Sequence, residues 1–271
     1  MREDYILNLS SSESIQVSTY KTGEKEVKDC ILFIHGFKGF KDWGFGPFIG
    51  EYFAKKGFFV FTFNFSHNGI GNNNLEFTEL DKFSKNTYSR EVSELYEIID
   101  ILKSDSSINK IGLIGHSRGG VIAILAATLN NVDALCTWAS ISKIDRYTER
   151  QKKEWRKNGN LINFNSRTKQ EMNLGLELLD DIEINKDSSL SIEKALNKIN
   201  IPHLIVHGSQ DLVVSVKEAE DLDSWSINGN SQKFIVKNTG HTFGVQHPFN
   251  GTNDKFENIL NKTFEFFNSN F

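Results

Sequence analysis

The chain runs an apolar strand-like segment, KIGLIG (110–115), straight into Gly115-His116-Ser117-Arg118-Gly119-Gly120 and then into the apolar stretch VIAILAATL (121–129). A strand that becomes a helix with no linker must reverse in one or two residues, and bulky neighbours would clash in so tight a turn. Glycines at 115, 119 and 120 fit that demand. A segment apolar at every position after its first is buried on both faces, so helices must cover both sides of its sheet. The junction therefore predicts a layered α/β fold rather than a sandwich or a helical bundle.

The remaining segments agree. CILFIH (30–35), FFVFTFNF (58–65), ALCTWAS (134–140), HLIVHG (203–208) and QKFIVKN (232–238) read as further strands, preceded by a short pair at 4–9 and 14–20. Helices are predicted over 47–56, 87–103, 121–129, 216–225 and 254–268, where apolar residues recur at helical spacing. His67 to Asn74 reads as loop. Strands alternating with helices give a mostly parallel sheet with helices on both faces. Residues 143–198 change character: charged, Asn-rich, helical in places, without a strong strand. So long an interruption is no ordinary connection. The expected organisation is a core of residues 1–142 and 199–271, with 143–198 inserted as a helical cap over the sheet's C-terminal edge.

At the sharp turn the Ser117 hydroxyl is presented at the sheet edge, beside the positive end of the next helix. A hydroxyl needs a base to take its proton. Of seven histidines, His241 follows the strand 232–238 through Thr239-Gly240 and comes after the serine and a candidate acid; His247 is the reserve. Asp211, just past HLIVHG, is placed to orient the imidazole and stabilise its cation, with Asp145 as the alternative. Two backbone N–H groups should receive a developing oxyanion: Arg118, next to the serine, and Phe37, in the loop His35-Gly36-Phe37. Aromatics of that loop and of the cap, Phe40, Trp43, Trp155 and Phe164, together with Phe243, are expected to line a substrate site.

Other chemistries find no support. There is no H-E-x-x-H or Cys/His ligand spacing, so no metal is expected, and no glycine-rich phosphate loop, so no cofactor is expected. A formal charge of −4 argues against nucleic acid as a partner. No stretch reaches the roughly 18–20 apolar residues that span a bilayer, and no basic start precedes an apolar run, so no membrane partner and a cytoplasmic location are expected. Cys30 and Cys136 read as free structural thiols.

The order of HGF (35–37), GHSRGG (115–120), HGSQD (207–211) and GHTFG (240–244) resembles the α/β-hydrolase superfamily over nearly the whole chain after its N-terminal pair of strands. HGFKGFKDWGF (35–45), NSRTKQ (165–170) and GHTFGVQHPF (240–249) look more narrowly like bacterial carboxylesterases, cinnamoyl-esterase-like or dienelactone-hydrolase-like members. Dienelactone hydrolases carry cysteine where this chain has Ser117. The resemblance implies an α/β-hydrolase fold, a Ser117–Asp211–His241 triad and oxyanion donors at Phe37 and Arg118. The function expected is a serine carboxylesterase acting through an acyl-enzyme on a small-to-medium ester with an apolar or aromatic group, hydroxycinnamate esters being the specific case. A peptidase or thioesterase of the same fold, or a non-catalytic binding module, are the alternatives.

Overall fold

The structure is a computed structural model and describes residues 1–23, 27–73, 75–129 and 132–271. In chain order its elements are β1 (Arg2–Asn8), β2 (Ser14–Tyr20), β3 (Lys28–Ile34), α1 (Gly46–Lys55), β4 (Phe59–Phe63), α2 (Leu80–Ser84) and α3 (Tyr88–Ser104). There follow β5 (Ile108–His116), α4 (Arg118–Ala127), β6 (Ala134–Trp138), α5 (Glu149–Asn158), β7 (Asn160–Asn165), β8 (Gln170–Gly175) and α6 (Leu176–Asn185). The chain closes with α7 (Ile192–Leu196), β9 (His203–Gly208), α8 (Val216–Trp225), β10 (Ser231–Val236) and α9 (Asp254–Asn270).

Eight strands form one sheet in the order β1-β2-β4-β3-β5-β6-β9-β10. β1 and β2 pair antiparallel, as do β2 and β4; every pair from β4 to β10 is parallel. Side chains along the central strands alternate between two apolar clusters. Cys30, Leu32 and Ile34 join α3, α4 and α8 on one face, whereas Ile31 and Phe33 join α1 and α9 on the other. That period of two explains why the central strands are apolar at most positions, with the buried Thr62, Thr137, His203 and His207 among the exceptions.

Register fixes where the loops emerge. Ile34 pairs with Gly115, His116 with Trp138, Trp138 with Val206, and Gly208 with Val236. The parallel strands therefore end level, and the segments after β3, β5, β9 and β10 leave from one edge. Open parallel sheets carry their ligands there.

The inserted region departs from the sequence reading. Residues 160–175 form an antiparallel hairpin, β7–β8, where helix and loop were expected. The Asn165 carboxamide closes its tip by accepting from the amides of Arg167 and Thr168, at 3.2 and 3.4 Å, and Lys169 adopts φ 59°. An Asn-rich, half-exposed strand lacks the apolar run that marks the central ones. Helix α4 also begins earlier than its apolar stretch, at Arg118. Helix α2 was not anticipated. The loop expected over His67 to Asn74 forms no regular element apart from a bridge between Ile70 and Phe77; Asn74 lies outside the described residues. Among the described residues no helix is long and apolar enough to cross a membrane.

Helix α9 covers β5 through Phe267, which is fully buried. A β-carbon on Gly112 would lie 2.4 Å from the Phe267 ring, so glycine there is what admits it. Phe267→Ala should lower unfolding free energy by about 3–5 kcal/mol, the cost of deleting a large buried aromatic. Urea denaturation checks this; an unshifted midpoint would show that α9 does not hold the sheet.

Candidate active site

Ser117 stands between β5 and α4 with φ 56° and ψ −120°, a conformation costing a non-glycine residue about 1–3 kcal/mol. The surroundings hold it there. The Ser117 amide donates to Trp138 O at 2.9 Å, and its carbonyl accepts from the Gly120 amide at 3.0 Å. Side chains would not fit around it: a β-carbon on Gly115 would lie 2.4 Å from Gly119 O, and one on Gly119 2.4 Å from Ile34 O.

His241 reaches Ser117 from the segment after β10. Its Nε2 lies 3.0 Å from Ser117 Oγ, and its Nδ1 lies 2.8 Å from Asp211 Oδ2. An ionised carboxylate only accepts, so Nδ1 donates and Nε2 is left to accept the serine proton. Asp211 is itself fixed, Oδ1 taking the amides of Val213 and Val214 at 2.8 and 2.9 Å. Burial pushes its carboxyl up, but the His241 hydrogen bond and those two amides outweigh this and hold it below the ordinary carboxylate range.

Behind His241, His116 donates Nε2–H to the His241 carbonyl at 3.0 Å. Burial drives the His116 imidazole down to about 3, so it is neutral at physiological pH. The loop after β3 closes the other side. His35 Nδ1 donates to Gly36 O at 2.9 Å, and its Nε2 accepts from the Phe65 amide at 3.3 Å. Its burial likewise lowers it to about 4. Among the described residues, no backbone or side-chain acceptor takes the amide of Phe37 or of Arg118.

The reserve candidates are engaged elsewhere. His247 Nδ1 accepts from the Gly44 amide at 2.9 Å, and its ring stacks on Trp43. Asp145 pairs with Lys152 and Lys186 at 2.6 and 2.9 Å.

A cavity of about 130 Å3 opens beside Ser117 and His241, walled by Phe33, Phe37, Phe40, Trp43 and Phe45. The structure does not bring the other three expected substrate residues to it. Trp155 is completely buried, edge-on to Tyr147. Phe243 is completely buried against Trp138, and Phe164 is 54% exposed on the hairpin. An aromatic that fills a core and one that walls a pocket follow the same apolar pattern, so sequence alone did not separate them. Phe33 was overlooked because its strand looked wholly internal, and Lys38, which also lines the cavity, because a loop lysine is usually a solvated one. The Arg118 side chain was overlooked too. Its Nε donates to Glu91 at 2.7 Å in a buried pair, and its guanidinium lies 3.9 Å over the Tyr88 ring. Among the described residues no cluster of three or more His, Cys, Asp or Glu could share a metal ion.

Comparison with known proteins decides the family. The BD-FAE family profile matches residues 19–226. The chain belongs to the BD-FAE esterase family. A Mycoplasma genitalium protein named as an esterase/lipase is 27% identical over 250 residues, covering 84% of this chain and 87% of its own length. Est1E from Butyrivibrio proteoclasticus superposes with a TM-score of 0.73 at 15% identity over 98% of each chain. Its complex with ferulic acid gives 0.72 at 16% identity, over 97% of this chain and 98% of that one. A hydrolase structure from Agrobacterium vitis S4 gives 0.76 at 17% identity, over 98% and 99%. The fold of this BD-FAE member is thus the α/β-hydrolase fold.

The buried histidines set the acid stability of this BD-FAE protein. His35, His67, His116 and His203 are held by burial at about 4, 4, 3 and 3, whereas an unfolded histidine titrates near 6.5. Between those values the unfolded chain binds more protons, so stability falls as pH falls. Glu94 acts the other way, because burial raises it to about 7 and it is protonated first in the folded chain. The balance is about three protons taken up on unfolding near pH 5. The urea midpoint should therefore drop clearly from pH 7 to pH 5; a constant or rising midpoint would contradict these assignments.

Proposed function

We propose that this BD-FAE protein is a serine carboxylesterase that works through an acyl-enzyme on Ser117. The observation that carries this reading is the unbroken relay from Asp211 Oδ2 through His241 to Ser117 Oγ, at 2.8 and 3.0 Å. In the first step Ser117 Oγ bonds to the ester carbonyl carbon and gives its proton to His241 Nε2. The carbonyl electron pair moves to oxygen, where the amides of Phe37 and Arg118 stabilise it. Asp211 stabilises the imidazolium that forms. Collapse breaks the bond to the alcohol oxygen, which leaves with the proton from His241. Water then attacks the acyl-enzyme with the same help, releasing the acid and restoring Ser117.

The cavity supports a small apolar or aromatic group on the ester. Its 130 Å3 and five aromatic walls suit about one ring, since an apolar cavity of roughly 150 Å3 takes up benzene. Est1E has been captured with ferulic acid, which favours hydroxycinnamate esters among the candidates. Residues 143–198 form the cap in this reading. Supporting that, Lys38 Nζ in the oxyanion loop donates to Asn163 Oδ1 at 2.7 Å and Phe164 O at 3.2 Å, and Gln170 Nε2 donates to Phe77 O at 2.9 Å.

Ser117→Ala should lower kcat on p-nitrophenyl butyrate by roughly 10⁴- to 10⁶-fold, and Asp211→Asn by roughly 10²- to 10⁴-fold with little change in KM. A Ser117→Ala enzyme with normal turnover would overturn the proposal. A higher kcat/KM on an aminoacyl amide than on methyl ferulate would point to peptide cleavage.

A further inference from the structure

The lining of the cavity beside Ser117 includes one cationic residue, Lys38, and no anionic one. The Lys38 ammonium meets two neutral oxygens, Asn163 Oδ1 and Phe164 O, which leaves one N–H unused. Its neighbours cannot compensate: His35 and His116, also in the lining, are neutral. Asp211 is anionic, but it sits on the Nδ1 side of the His241 ring, with Ser117 on the other. A second cation stands close by. The Arg167 guanidinium lies 5.8 Å from the centre of the Phe40 ring, which forms part of the cavity wall. Burial alone pulls both cations down, with no carboxylate among the causes to raise them. Among the described residues neither joins an ion pair.

A half-buried cation carried by the lining of an apolar cavity is a specificity device, because the matching anion gains a charge-assisted hydrogen bond that a neutral group does not. We propose that Lys38, with Arg167 behind the Phe40 ring, selects esters carrying a free carboxylate on the half held in the cavity, such as short monoesters of dicarboxylic acids. The proposal rests on the esterase reading of Ser117 and adds the charge of the substrate to it.

Two pairs that differ by one carboxylate test it. Monomethyl glutarate against methyl pentanoate places the charge on the acyl half, and 4-acetoxybenzoate against phenyl acetate places it on the alcohol half. In at least one pair the wild-type protein should favour the anionic ester in kcat/KM. Lys38→Met should lower that anionic-to-neutral ratio by roughly ten- to hundredfold, mostly through KM, and Lys38→Arg should restore part of it. Added KCl should raise the wild-type KM for the anionic ester alone. The charge proposal is overturned if both esters of each pair turn over with ratios that neither Lys38→Met nor salt alters. If no ester turns over and a fluorophosphonate leaves Ser117 unlabelled, the esterase reading fails first and takes this proposal with it.

Discussion

Helix α4 and strand β3 meet backbone to backbone: a β-carbon on Gly119 would sit 2.4 Å from the Ile34 carbonyl oxygen and 2.5 Å from that of His35. This approach brings the first turn of the helix against the loop that follows β3. Ser117 takes its φ of 56° because β5 must end and α4 must begin within that space. Strain at one serine is thus tolerated because contacts on three sides over-determine it.

Around this corner the charges are arranged so that little needs to reorganise. His35 and His116 are neutral through burial and serve as hydrogen-bond donors to backbone carbonyls that fix the two flanking loops. Arg118 keeps its charge by pairing with Glu91 in the core. A buried pair of this kind adds little net stability but strongly resists loss of one partner, so it anchors the start of α4. His241 is left as the histidine in contact with both a hydroxyl and a carboxylate. Lys38 and Arg167, by contrast, have no such partner, which distinguishes them from the other cations near the site.

Much of this was legible in the sequence. The central strands were visible because burial on both faces leaves few polar positions, and their ends set where Ser117, Asp211 and His241 emerge. The junction at 115–120 was visible because close backbone contact leaves only glycine. The β7–β8 hairpin was not, because only the alternate residues Met172 and Leu174 of β8 are buried, an alternation too short to stand out in an Asn-rich stretch, and its turn is closed by the Asn165 side chain. Trp155 and Phe243 were misplaced because their apolar character says only that they are buried, and the pairing of Arg118 with Glu91 needs α3 and α4 to be packed first.

The most direct measurement of Ser117 as the acylated group is mass spectrometry of protein acid-quenched during turnover of p-nitrophenyl acetate. The expected result is an acetyl group on the peptide containing Ser117, accumulating in the wild-type protein and absent from His241→Ala. Steady turnover with that peptide unmodified, or an acetyl group whose appearance does not depend on His241, would contradict the relay that links Asp211, His241 and Ser117.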